Sequence, residues 1–173
     1  MKRRICLVGA ALSVVCPLTL GVGTAGAAGN TKPATKSKAT HRVRCATDTS
    51  IVIPPGATIV SPPASDGREY GTASCTPKLG AGVQSDSFTV PSSGNTDAKF
   101  TWYLATGTVY GTYILVLEEG SLNFLAASWT GTIKVLGGSG TYHGVKGTGT
   151  MFCKSADELH TTCKDTVTLA NLT

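Results

Sequence analysis

Wherever hydrophobic and polar positions alternate along this chain, they do so with a period of two. In ASWTGTIKVL, residues 127–136, Trp129, Ile133 and Val135 fall on one face and Ser128, Thr130, Thr132 and Lys134 on the other, as in a strand with one buried side. In AKFTWYLA, residues 98–105, Phe100, Trp102 and Leu104 oppose Lys99, Thr101 and Tyr103. TVYGTYILVL, residues 108–117, is apolar on both faces, with Val109, Tyr113, Leu115 and Leu117 against Tyr110, Ile114 and Val116. Such a strand is expected to be covered on both sides, with a second copy of the chain (a homo-oligomer) as the candidate cover. Shorter β-rich runs at 49–53, 85–90, 147–153 and 165–172 are cut by Gly, Pro, Ser and Asn at close intervals, and helix signals are few. The class is all-β. Two Pro-Pro pairs and an SDG break the pattern between Pro54 and Gly71; this segment is expected to run extended across the outside, tied at its far end by Cys75.

The first residues belong to a different pattern. Lys2, Arg3 and Arg4 precede an apolar run from Ile5 to about Val22, and Ala25-Gly26-Ala27 supplies small side chains for a peptidase, so residues 1–27 read as a cleaved secretory signal. Export is expected, with no stable membrane insertion afterwards. Cleavage changes the charge: 15 basic residues fall to 12 against 10 acidic, and the net charge drops from +5 to +2. Nothing in that balance argues for a nucleic-acid partner. The remaining positive density lies in residues 28–42, where Lys32, Lys36, Lys38 and Arg42 have hardly an apolar neighbour. Such composition cannot offset its ordering entropy, so 28–42 is expected to be a flexible basic arm ahead of a single domain, 43–173.

Cleavage also leaves four cysteines, Cys45, Cys75, Cys153 and Cys163. An even number in an exported chain reads as two disulfides among three connectivities. The polar interval KSADELHTT between Cys153 and Cys163 suits a hairpin loop, which pairs those two and leaves Cys45 with Cys75. No close C-x-x-C pair or histidine spacing points to a metal, and no cofactor is expected.

The stretch GGSGTYHGVKGTGTMFC, residues 137–153, invites a phosphate-binding reading, but the third glycine of G-x-G-x-x-G is replaced by His143 and no Gly-Lys stands at P-loop spacing. A turn remains. Tyr142 and Val145 would project the same way from one tight helical turn and plug the end of a curled sheet, with His143 overlooking the mouth. GTIKVLGGSGTYHGVKGTGT also resembles the strand, GGTG, aromatic and GTG pattern of the allene oxide cyclase and dirigent-like superfamily, on Gly137, Gly138, Gly140, Tyr142, Gly144, Gly147 and Gly149, with Ser139 where threonine is usual. The resemblance, which extends to secreted bacterial members, covers about twenty residues and implies a closed antiparallel eight-stranded barrel. It transfers no catalytic residue, because the N-terminal strands show no alignable motif.

Candidate chemistry is sparse. Asp66, Glu69, Asp86, Asp97, Asp157 and Glu158 are expected in loops, and Glu118-Glu119 at a strand end. No G-x-S-x-G elbow supports a nucleophile. Phe100, Trp102, Trp129 and Ile133 are the lumen candidates, expected to wall a mainly apolar interior that takes a small hydrophobic ligand. The expectation is a secreted, non-catalytic binding or envelope-associated protein, with an isomerase or coupling-guide activity as the alternative that the resemblance implies.

Overall fold

The computed structural model describes residues 39–52, 65–90, 95–118, 127–157 and 159–172. The signal segment and most of the basic arm lie outside these. Eight strands follow one another: β1 (Thr40–Ile51), β2 (Ser65–Thr76), β3 (Gly80–Val90), β4 (Thr96–Leu104), β5 (Gly107–Leu117), β6 (Ala127–Gly138), β7 (Lys146–Ser155) and β8 (His160–Ala170). Each pairs antiparallel with the next, and β8 pairs with β1 from Thr40↔Ala170 to Ser50↔His160, closing the barrel. Closure leaves no free sheet edge.

Alternation decides which side chains enter the lumen. Phe100, Trp102, Leu104, Ile133 and Val135 are buried there as the pattern predicts, and so are Val109, Tyr113 and Leu115 of β5. The second apolar face of β5 is not covered within the chain: Ile114 is 55% exposed and Val116 51%. Several strand boundaries differ from the sequence expectation, two of them by changing a segment's assignment. Thr40–Arg42, assigned to the basic arm, begin β1 and pair with β8. Residues 65–71, expected in the extended outer segment, belong instead to β2, which is hydrogen-bonded on both sides. Its inward positions are Glu69, Gly71, Ala73 and Cys75, too small or too polar to print an apolar alternation.

One end of the barrel is closed by side chains. The turn Gly140–Tyr142 after β6 is a single 3₁₀ turn that buries Tyr142, followed by buried Val145. These pack with buried Leu79 from the β2–β3 turn and Leu172 after β8, and the Tyr142 hydroxyl donates to the Leu79 carbonyl at 3.1 Å. The plug expected from Tyr142 and Val145 is present, whereas His143 is exposed. The glycines of this region serve two purposes. Gly144 sits at φ +77° with open space around it, while a Cβ on Gly149 would stand 2.0 Å from the Thr166 carbonyl oxygen of β8. The first is needed for turn geometry, the second for close approach of two coiled strands.

Both disulfides join directly paired, inward-facing residues, Cys45–Cys75 across β1 and β2 and Cys153–Cys163 across β7 and β8, the connectivity expected from the interval lengths. Their sequence separations are 30 and 10. Loop-closure entropy then makes Cys45→Ala/Cys75→Ala costlier than Cys153→Ala/Cys163→Ala by about 1 kcal/mol in urea unfolding; a reversed order would show that closure entropy does not govern these bonds. Gly149→Ala is expected to cost roughly 2–3 kcal/mol by forcing backbone apart and Gly144→Ala about 1 kcal/mol by left-handed strain. Equal effects would contradict the separate roles.

Candidate functional site

The buried interior is mainly apolar, as expected, but it also carries acids that were not expected there. Glu69, Asp86 and Asp165 are all buried, together with Thr47, Thr49, Gln84, Thr96 and Ser155, and no Lys, Arg or His is buried among the described residues. These acids correct the expectation that carboxylates occupy loops and outward positions. Glu69 is on β2, Asp86 on β3 and Asp165 at the middle of β8. A signal for them exists in the sequence. Asp165 shares strand parity with Cys163, Val167 and Leu169, and Asp86 with Phe88, so whichever face carries those apolar residues inward carries the acid with them.

The polar groups are organised unequally. Trp102, the largest lumen candidate, is wholly buried and donates its indole N–H to Gln84 Oε1 at 2.7 Å. An indole can only donate, so Gln84 is oriented with its amide nitrogen toward Asp86, reaching Oδ2 at 2.5 Å. Tyr113 directs its hydroxyl to the same oxygen at 3.4 Å. Oδ2 thus receives both donors and Oδ1 has no partner. Glu69 is better satisfied, accepting from Thr49 Oγ1 at 2.6 Å and from Thr161 Oγ1 at 3.4 Å. Asp165, 2% exposed, has no partner at either oxygen, nor does the Oγ1 of Thr47, 4% exposed. Thr47 lies on β1 two positions from Cys45, which is paired with Asp165.

Desolvation dominates the titration of this cluster. Burial pushes the Asp165 carboxyl up to about 7, with the Asp86 charge adding to it. Burial likewise raises Asp86 to about 7, against the Gln84 hydrogen bond and with the Glu69 charge. Glu69 is raised by burial in spite of its two threonine donors. The Tyr113 phenol is pushed well up by burial and by the charges of Asp86, Glu69 and Asp165. The one depressed acid, Asp157, lies exposed in the β7–β8 turn, where hydrogen bonds from His160 and from backbone amides lower it to about 2.

The other candidates are distributed around this cluster. Phe100 is directly opposite Asp86 in the β3–β4 register and packs against Trp102 in a tilted pair, 4.7 Å between ring centroids and 44° between planes. Ile133 is buried in the same core, and Trp129 packs half-buried against it. Glu118 accepts from Ser128 Oγ at 2.7 Å, away from the buried acids, and Glu119 lies outside the described residues. Among the described residues no group of His, Cys, Asp or Glu has the arrangement to hold a metal ion. The arrangement provides two carboxyl groups poised between neutral and charged near pH 7, in an aromatic and aliphatic surround. Comparison of the chain with protein-family profiles, curated proteins and solved structures finds no match.

These acids give the fold an unusual pH response. Because burial raises their folded-state pKa above the unfolded value, their contribution is fully present below about pH 4 and is lost as pH rises through about 7. Thermal stability is therefore expected to fall between pH 5 and pH 8. Asp165→Asn should remove roughly 2–3 kcal/mol of that decline and exceed the parent protein in stability at pH 8. Melting temperatures that rise over the same interval would show that burial does not raise these acids.

Proposed function

We propose that this chain is an exported barrel that holds a small, largely apolar molecule in its lumen without transforming it. The observation that carries the reading is the polarity of the interior: one end is filled by Leu79, Tyr142, Val145 and Leu172, whereas the lumen beyond carries buried acceptors without partners on Asp86 and Asp165. A purely structural core gains nothing from unpartnered acceptors, which cost desolvation free energy. A bound molecule with a donor group repays that cost. Export is supported by the basic and apolar start with Ala25-Gly26-Ala27 and by two disulfides, which persist in oxidising compartments.

A second reading has its own observation. Asp86 and Asp165, both pushed up to about 7, are suited to donate and accept protons at neutral pH. The closed eight-stranded barrel is also the architecture implied by the resemblance of residues 131–150 to allene oxide cyclases and dirigent-like proteins. An isomerase or coupling-guide activity would use the same acids.

One set of assays separates the readings. The secreted protein should have the mass of a chain cleaved after Ala27. Small apolar probes should change its tryptophan fluorescence in a way altered by Trp102→Phe or Trp129→Phe and unaffected by Glu118→Gln. Incubation with unsaturated fatty-acid epoxides or phenolic radicals should give no stereoselective product. Product formation abolished by Asp86→Asn or Asp165→Asn would replace the binding reading with the enzymatic one.

A further inference from the structure

The lumen contains Glu69 from β2, Asp86 from β3, the Tyr113 hydroxyl from β5 and Asp165 from β8. The described part of β1 contributes Val43, Cys45, Thr47 and Thr49, and β7 contributes Met151, Cys153 and Ser155. From β4 and β6 the buried side chains are apolar or aromatic apart from Thr96. Every buried titratable group outside the disulfides is therefore an acid, and no buried cation faces them among the described residues.

Two of these groups are left asking for donors. Both oxygens of Asp165 and the Oδ1 of Asp86 lack partners, and the Oγ1 of Thr47, neither acidic nor exposed, is unpartnered on the same wall as Asp165. Asp86 from β3 and Asp165 from β8 are both buried on the inner side of the closed sheet, with β1 and β2 between their strands around the barrel. Phe100, opposite Asp86, with Trp102 packed against it at a tilt, adds aromatic rings to the same level, and aromatic faces attract cations. A neutral apolar guest would leave the acceptors as they are. An ammonium group offers donors and charge together, and charge-assisted hydrogen bonds are about twice as strong as neutral ones.

We propose that the lumen site selects an organic cation: a small molecule with an apolar, preferably aromatic, body and one ammonium group, which is held by Asp165 and Asp86 with Thr47 alongside. The inference rests on the ligand-holding reading and specifies its ligand class. Binding draws the carboxyls into their charged form, and the displaced protons pass to the buffer. Affinity for a permanently protonated amine accordingly rises from pH 5 to pH 8, while the empty barrel loses stability over the same range.

The test uses the mature, oxidised protein and three probes of matched size: 2-phenylethylamine, 2-phenylethanol and phenylacetate, followed by thermal shift and tryptophan fluorescence at pH 6 and pH 8. The amine is expected to bind roughly tenfold or more tightly than the alcohol, more tightly at pH 8 than at pH 6, and the acetate not at all. Asp165→Asn and Asp86→Asn should each bring the amine down to the level of the alcohol, and Asp165→Asn is expected to remain folded at pH 8. Equal binding of amine and alcohol would overturn the cation inference and leave the ligand-holding reading intact. Amine binding that survives in both variants would place the cation elsewhere and overturn it too. No binding of any of the three, or of the neutral apolar probes, would bring down both.

Discussion

Closure of β8 onto β1 is the constraint on which the rest depends. Once the sheet has no edge, every second residue of eight strands faces one enclosed space, and each side chain there must be packed or hydrogen-bonded. The coiling that closure requires brings neighbouring backbones together so tightly that Cβ atoms at Gly71, Gly111, Gly131 and Gly149 would stand within about 2 Å of a carbonyl oxygen on the adjacent strand. The glycine-rich run after β6 therefore belongs to barrel geometry, and its turn supplies the plug.

The same closure makes the acids expensive. Native domains retain only a small net stability, roughly 5–15 kcal/mol, and the cost of a buried carboxyl without partners is a large fraction of that. The disulfides are positioned to offset this cost. Cys45 is paired with Asp165 in the β1–β8 register, and Cys163 lies two residues from Asp165 on β8, so the two bonds flank the seam that carries Asp165 and Thr47. Covalent links that hold the folded barrel together permit polar groups to remain unsatisfied there. That is the pattern of a site whose demands are traded against stability.

Much of the barrel is legible in residue order because burial and alternation coincide. Phe100, Trp102 and Leu104, then Ile133 and Val135, declare their inner face outright, and the nine-residue polar interval after Cys153 declares a hairpin. β2 is silent in the same code. Its inward residues, from Glu69 to Cys75, are small or polar, so the rule that strands show one apolar face has nothing to read. The outer face of β5 misleads in the opposite direction, since Tyr110, Ile114 and Val116 look buried by type and are exposed within the chain.

The order of residues determined the all-β class, the pairing of the cysteines, the plug of Tyr142 and Val145 and the inner faces of β4 and β6, since each depends on neighbours within one or two strands. The inward turn of Glu69 and the gathering of the acids in one lumen were decided only by the tertiary structure. Alternation divides a strand into two faces but does not say which of two polar faces turns inward; that depends on the partners to either side. Pairing of Glu69 with Asp86 and of Asp86 with Phe100 joins successive strands, whereas pairing of Cys45 with Asp165 joins the first strand to the last, and it is this closed register around the whole barrel that turns three carboxyls toward the same interior.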